Sequence, residues 1–70
     1  MERAKPLKPE DMIWRLLEHL ALQLQLLEES QEQLDPKKQE DLMIVLGECE
    51  QLTRTQINIL RRMGRRYGGI

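Results

Sequence analysis

The stretch Leu34-Asp35-Pro36 decides how this 70-residue chain folds, because it separates two long segments that both have helical periodicity. Proline fixes φ and has no N–H, so it suits the first position of a helix and pushes the preceding residue out of the helical region. The Asp35 carboxylate is well placed to cap the helix that follows. The sequence therefore predicts an all-α fold, an antiparallel two-helix hairpin.

The first helix has a clear start signal at Pro9, Glu10 and Asp11. A proline in first position is followed there by two acids, at the end where the helix dipole is positive. We expect the hairpin to occupy residues 9–67. The expected organisation is a flexible leader over 1–8, a helix over 9–34, a turn at 34–36, a helix over 36–63, and a basic, glycine-containing tail over 64–70.

Both predicted helices carry apolar residues at alternating spacings of three and four, which keeps those residues on one face. The row in the first helix is Ile13, Leu17, Leu20, Leu24, Leu27, Gln31 and Leu34. The row in the second helix is Leu42, Val45, Cys49, Leu52, Gln56, Ile59 and Met63, with Leu46, Thr53, Ile57 and Leu60 running alongside. This width predicts that the second helix contacts two neighbours.

The expected core of an isolated hairpin is too small to offset the chain entropy comfortably. With one cysteine and one histidine in the chain, neither a disulfide nor a structural zinc site can contribute, and no cofactor or metal ligand set is predicted. We therefore expect a four-helix bundle, completed by dimerisation or by another helical protein. The polar Gln31 and Gln56 either fix the register of such a bundle or lie at its exposed edge.

Several residues off the main rows are candidates for the protein interface. Leu22 and Leu26 point away from the first helix's apolar face, and they are either isolated exposed leucines or a second contact surface with Met12 and His19 at its edge. Gly47 costs roughly 1 kcal/mol in a helix interior relative to alanine. It either permits close approach of another helix or is merely tolerated.

The charges of the chain are segregated although its net charge is only −1. Residues 10–35 are strongly acidic, whereas residues 54–70 contain no acid and carry a cluster made of Arg61, Arg62, Arg65, Arg66 and Tyr67. Three interpretations remain open: the arginines complement the dipole at a helix C-terminus, they meet the acidic turn of a second hairpin, or they contact nucleic-acid phosphates while Tyr67 stacks on a base.

No pattern typical of an enzyme is present. Catalytic carboxylates require a pocket that shifts their pKa, and two helices do not readily form one. Cys49 falls within an apolar row between two glutamates, as expected of a small core residue rather than a reactive thiol. No run approaches the roughly 18 apolar residues of a membrane span. A single unpaired cysteine favours a reducing, cytoplasmic location.

The plan of two similar helices, a turn containing Leu34-Asp35 and a cysteine midway along the second helix resembles the plasmid copy-number protein Rop. Rop hairpins dimerise into four-helix bundles that bind paired RNA loops. The resemblance implies a nucleic-acid-binding regulator, although Glu18, Leu22 and Leu26 stand where that family needs a polar, basic face. The residues themselves favour a non-enzymatic interaction protein, such as a regulator, adaptor or chaperone, acting through leucine-rich helical faces.

Overall fold

A computed structural model describes residues 8–67 of the chain. These residues form two α-helices, α1 (Pro9–Gln33) and α2 (Glu40–Tyr67), which pack against each other along their lengths. Late residues of α1 lie beside early residues of α2, as in the contact of Gln31 with Glu50. The fold is therefore all-helical, and the two helices form a hairpin.

Helix α1 begins at Pro9, with Glu10 and Asp11 in its first turn and the extended Lys8 before it. The Met12 N–H donates to the Lys8 carbonyl at 3.0 Å and so starts the helical hydrogen-bond ladder. The helix ends at Gln33, one residue earlier than predicted, because the backbone of Leu34 is already extended.

The turn is longer than the sequence predicted. Asp35 forms hydrogen bonds within this turn and does not cap the second helix. Its carboxylate accepts the Lys37 N–H at 2.9 Å, while its own N–H donates to the Gln39 side chain at 2.8 Å. These side-chain bonds give the backbone an alternative to continuous helix. Pro36 accordingly lies in a turn, and the prediction that it starts the second helix is wrong.

Helix α2 is displaced at both ends relative to the predicted range of 36–63. Its ladder starts where the Met43 N–H donates to the Gln39 carbonyl at 3.0 Å, and its last residue is Tyr67. Gly64 is buried within the helix, which continues past it. Two arginines in the last turn complement the dipole and favour this extension. The predicted tail is thus helical as far as Tyr67.

The remaining parts of the predicted leader and tail, residues 1–7 and 68–70, lie outside the described residues.

Few apolar side chains are buried in the described part of the hairpin. They are Ile13, Leu17 and Ile57, with Leu20, Leu24 and Leu60 packed around them. The row predicted for α1 is buried or half-buried along its whole length. Such a core is small for a chain of this size.

Candidate interaction surface

Helix α2 carries two parallel rows of residues, each repeating at spacings of three and four, and only one of them faces α1. The seam row, buried or half-buried throughout, is Met43, Leu46, Glu50, Thr53, Ile57, Leu60 and Gly64. The exposed stripe is the row predicted from the sequence as the main apolar face: Leu42, Val45, Cys49, Leu52, Gln56, Ile59 and Met63. Cys49 is half-buried, and the other six are exposed.

Leu52, in the middle of the exposed stripe, is 65% exposed in the hairpin, so α1 does not cover it. The two rows are offset by one residue, which is a rotation of about 100° around the helix. Polar contacts explain which row turns inward. The Gln23 amide donates to the Thr53 hydroxyl at 2.8 Å, and the Gln31 amide donates to the Glu50 carboxylate at 2.8 Å. Both acceptors belong to the seam row.

A groove runs beside the exposed stripe where α1 and α2 meet. Its volume is about 360 Å³, and its lining is Leu16, His19, Leu20, Gln56, Ile59 and Leu60. A second depression of about 330 Å³ continues past Gln23 towards Cys49 and Leu52. The apolar surface therefore extends from α2 onto one edge of α1.

The predicted interface residues of α1 are exposed. His19 lines the groove, and it also lines an outer hollow with Leu22. Leu22 and Leu26 are each more than half exposed. This exposure fits both isolated surface leucines and a second contact surface. Met12 is exposed next to the buried Ile13.

Gly47 is half-buried, and the space around it is open. A Cβ added there would meet no atom of the hairpin within 4 Å, so α1 does not require a glycine at this position. Gly47 is two residues from Val45 and two from Cys49. At about 100° per residue, it therefore lies about 160° around the helix from the exposed stripe.

An ionic cluster ties the two helices on the polar side of the seam. Arg54 donates to Glu28 of α1 and to Glu50 of its own helix, both at 2.9 Å. Hydrogen bonds from Gln31 and then from Arg54 hold the pKa of Glu50 below its ordinary value of 4.5. The Glu50 carboxylate in turn raises the pKa of Arg54. Apolar spacing did not predict this cluster; the available signal was a polar residue at a seam position of each helix, Gln31 and Glu50.

The candidate nucleic-acid residues all lie on the last turns of α2 and are exposed: Arg61, Arg62, Arg65, Arg66 and Tyr67. Because α2 continues through Gly64, the arginines form two pairs at a spacing of four, which aligns each pair along the helix axis. Arg61 also lines a hollow with Trp14 and Leu17.

Within residues 8–67 there is no group of three or more His, Cys, Asp or Glu side chains arranged to hold a metal ion. Neither described helix combines the length and the apolar character needed to cross a membrane.

Comparison of the chain with protein-family models, with curated proteins and with solved structures finds no match.

Proposed function

We propose that the protein is a non-enzymatic interaction module that acts by covering its exposed stripe with helices of another polypeptide, completing a four-helix bundle. The observation that carries the proposal is the stripe itself. A repeat at spacings of three and four, apolar except at Gln56, is the pattern of a helix–helix interface. All of it except the half-buried Cys49 remains exposed after the hairpin has formed.

Two further features support a docking role. Extended apolar patches on small proteins usually mark interaction sites rather than free surface. The hairpin also buries few apolar side chains of its own, so covering a second row adds core that the two helices cannot provide alone. A regulator, adaptor or chaperone-like protein would act in this way, by occupying a surface of its partner.

The test uses the double variant Leu52→Lys/Ile59→Lys, which places two charges in the middle of the stripe. Both side chains are exposed in the hairpin, so helicity should survive. The mass in solution of the wild-type chain and the variant is measured across a dilution series, together with circular dichroism. Loss of every association in the variant, with helicity retained, is the expected result.

Ile44→Lys is the matched control, because Ile44 lies on the same helix and is 58% exposed but belongs to neither row. This variant should associate like the wild type. Leu22→Lys/Leu26→Lys tests the alternative surface on α1. If the stripe variant associates as strongly as the wild type while the α1 variant does not, the interface lies on α1 and the proposed surface is wrong.

A second candidate function is a regulator that binds nucleic acid through the end of α2. The specific observation is that residues 54–67 contain five arginines and no acid, with four of the arginines in the two aligned pairs near Tyr67. Phosphate contacts weaken steeply as salt rises. The test is a gel shift with RNA and DNA at low and high salt, comparing the wild type with Arg65→Gln/Arg66→Gln. Absence of any shift at low salt removes this candidate.

A further inference from the structure

We propose that the polypeptide covering the exposed stripe is a second copy of this chain, with the two α2 helices antiparallel and related by a two-fold axis near Leu52. The inference rests on the proposed function and names the partner and its orientation. A two-fold interface uses the same patch on both copies, so the patch must be complementary to itself.

The stripe meets this requirement when it is reversed against itself. Antiparallel pairing centred on Leu52 places Leu42 opposite Met63 of the second copy, and Val45 opposite Ile59. The half-buried Cys49 then faces Gln56, the one polar residue of the row. In this register every residue of the stripe faces a stripe residue of the second copy. A shift by one heptad would leave one end of each stripe uncovered.

Charge selects the antiparallel orientation over the parallel one. Residues 40–53 contain the acids Glu40, Asp41, Glu48 and Glu50 and no lysine or arginine. Residues 54–67 contain Arg54, Arg61, Arg62, Arg65 and Arg66 and no acid. Glu50 and Arg54 already pair within the hairpin. Antiparallel pairing sets the other acids of each α2 against the other arginines of its partner and also opposes the helix dipoles. Parallel pairing would place like charges together.

One flank of the stripe shows how the charges would meet. Asp41, Glu48, Thr55 and Arg62 each immediately precede a stripe residue and recur every seven positions. In antiparallel helices this flank faces itself, which brings Asp41 beside Arg62 of the second copy. Among residues 8–67 the salt bridges of the hairpin are those of Arg54, so Asp41 and Arg62 have no ion-pair partner within it.

Disulfide trapping tests the orientation. Leu42→Cys and Met63→Cys are made separately in the full chain with Cys49→Ser, so that each protein has one thiol. The two positions are 44% and 42% exposed, which makes the changes tolerable to the hairpin. They lie about 31 Å apart along α2 at 1.5 Å per residue, whereas a disulfide requires Cα atoms within about 7 Å.

Each protein is oxidised alone and after mixing, and covalent dimers are resolved by non-reducing electrophoresis, with circular dichroism as the check on folding. The expected result is a covalent dimer in the mixture and none in either protein alone. A covalent dimer from Leu42→Cys alone means parallel pairing and overturns the proposal. Failure to trap any species, with the chains still dimeric in solution, overturns it as well.

A wild-type chain that stays monomeric at all concentrations also overturns the second copy as partner. The proposed function survives that outcome, because a different protein would then bind the stripe. The two ideas therefore fail separately: association that persists in Leu52→Lys/Ile59→Lys overturns the stripe as the docking surface, whereas a monomeric wild type or a different trapping pattern overturns only the second copy or its orientation.

Discussion

At the scale of single residues, the most deeply buried side chain of the described hairpin is polar. Thr53 is 1% exposed, and its hydroxyl accepts a hydrogen bond from Gln23 across the seam. A buried hydroxyl without a partner is costly, so the pairing fixes which part of α2 can lie against α1. Thr53 and Glu50 together hold the seam row inward and leave the stripe outside.

Ile57 is the apolar residue of α2 on which the hairpin core depends most. It is 9% exposed and packs with Ile13 and Leu17. We expect Ile57→Ala to lower the free energy of unfolding by roughly 2–4 kcal/mol, through lost burial and a residual cavity. Urea denaturation at one fixed protein concentration measures the change.

Ile44→Ala serves as the control for that measurement, because it removes the same atoms from an exposed site. Its effect should be within about 0.5 kcal/mol. Equal losses in the two variants would mean that Ile57 is not part of the core and that α2 is rotated relative to the arrangement described here.

The ionic cluster around Glu50 gives the hairpin a pH dependence with a definite sign. Because its pKa is lowered in the folded state, ionised Glu50 stabilises the fold above its ordinary pKa of 4.5. That contribution is lost as the pH falls through the lowered value. Thermal melting between neutral pH and about pH 3 should show wild-type stability falling further than that of Glu50→Gln. Parallel curves for the two proteins would contradict this role.

At the level of the helices, the sequence was enough to predict that both helices form. It was not enough to predict which row of α2 packs against α1. In α1 one row, from Ile13 to Leu34, keeps the spacing of three and four throughout, while Leu22 and Leu26 lie off it, so periodicity identified the buried face. On α2 two rows offset by one residue share the same period, and apolar spacing cannot rank them. The polar contacts of Thr53 and Glu50 decide the matter, and these depend on residues of the other helix.

The turn was mispredicted for a similar reason. Pro36 is compatible with a helix start and with a turn, and the choice depends on hydrogen bonds made by the side chains of Asp35 and Gln39. The C-terminal boundary stayed open between residue 63 and Tyr67, because Gly64 can either cap a helix or lie within one. In α2 it occupies a seam position, seven residues after Ile57, and the helix continues through it.

Gly47 offers a test of packing at this scale. Since a Cβ at this site has open space around it, we expect Gly47→Ala to raise the free energy of unfolding by roughly 0.5–1 kcal/mol through helix propensity and a less flexible unfolded chain. Thermal or urea denaturation of the two proteins measures this difference in the free energy of unfolding. A clear loss of stability would show instead that another helix approaches closely at Gly47, as one of the two interpretations of the sequence requires.

At the scale of the whole molecule, the hairpin is asymmetric in two respects. One side carries the Arg54 ionic cluster, and another carries the apolar stripe and groove. Charge is also divided along α2, acidic before Arg54 and basic from there to Tyr67. An apolar stripe provides affinity without direction, whereas the charge gradient provides direction. Their combination on one helix is what an orientation-specific interface requires.

The charge gradient predicts the sign of a salt effect on association. If two α2 helices pair antiparallel, opposite charges meet, and raising the salt from about 0.05 M to about 0.5 M should weaken the dimer by screening that attraction. If they pair parallel, the same screening relieves repulsion and the dimer should tighten. Sedimentation equilibrium at the two salt concentrations gives both dissociation constants.

Arg62→Gln removes one charge beside the stripe, so its dimer should be weaker at low salt and less sensitive to added salt than the wild type. A wild-type dimer that strengthens with salt would rule out the antiparallel arrangement while leaving the stripe as the contact surface.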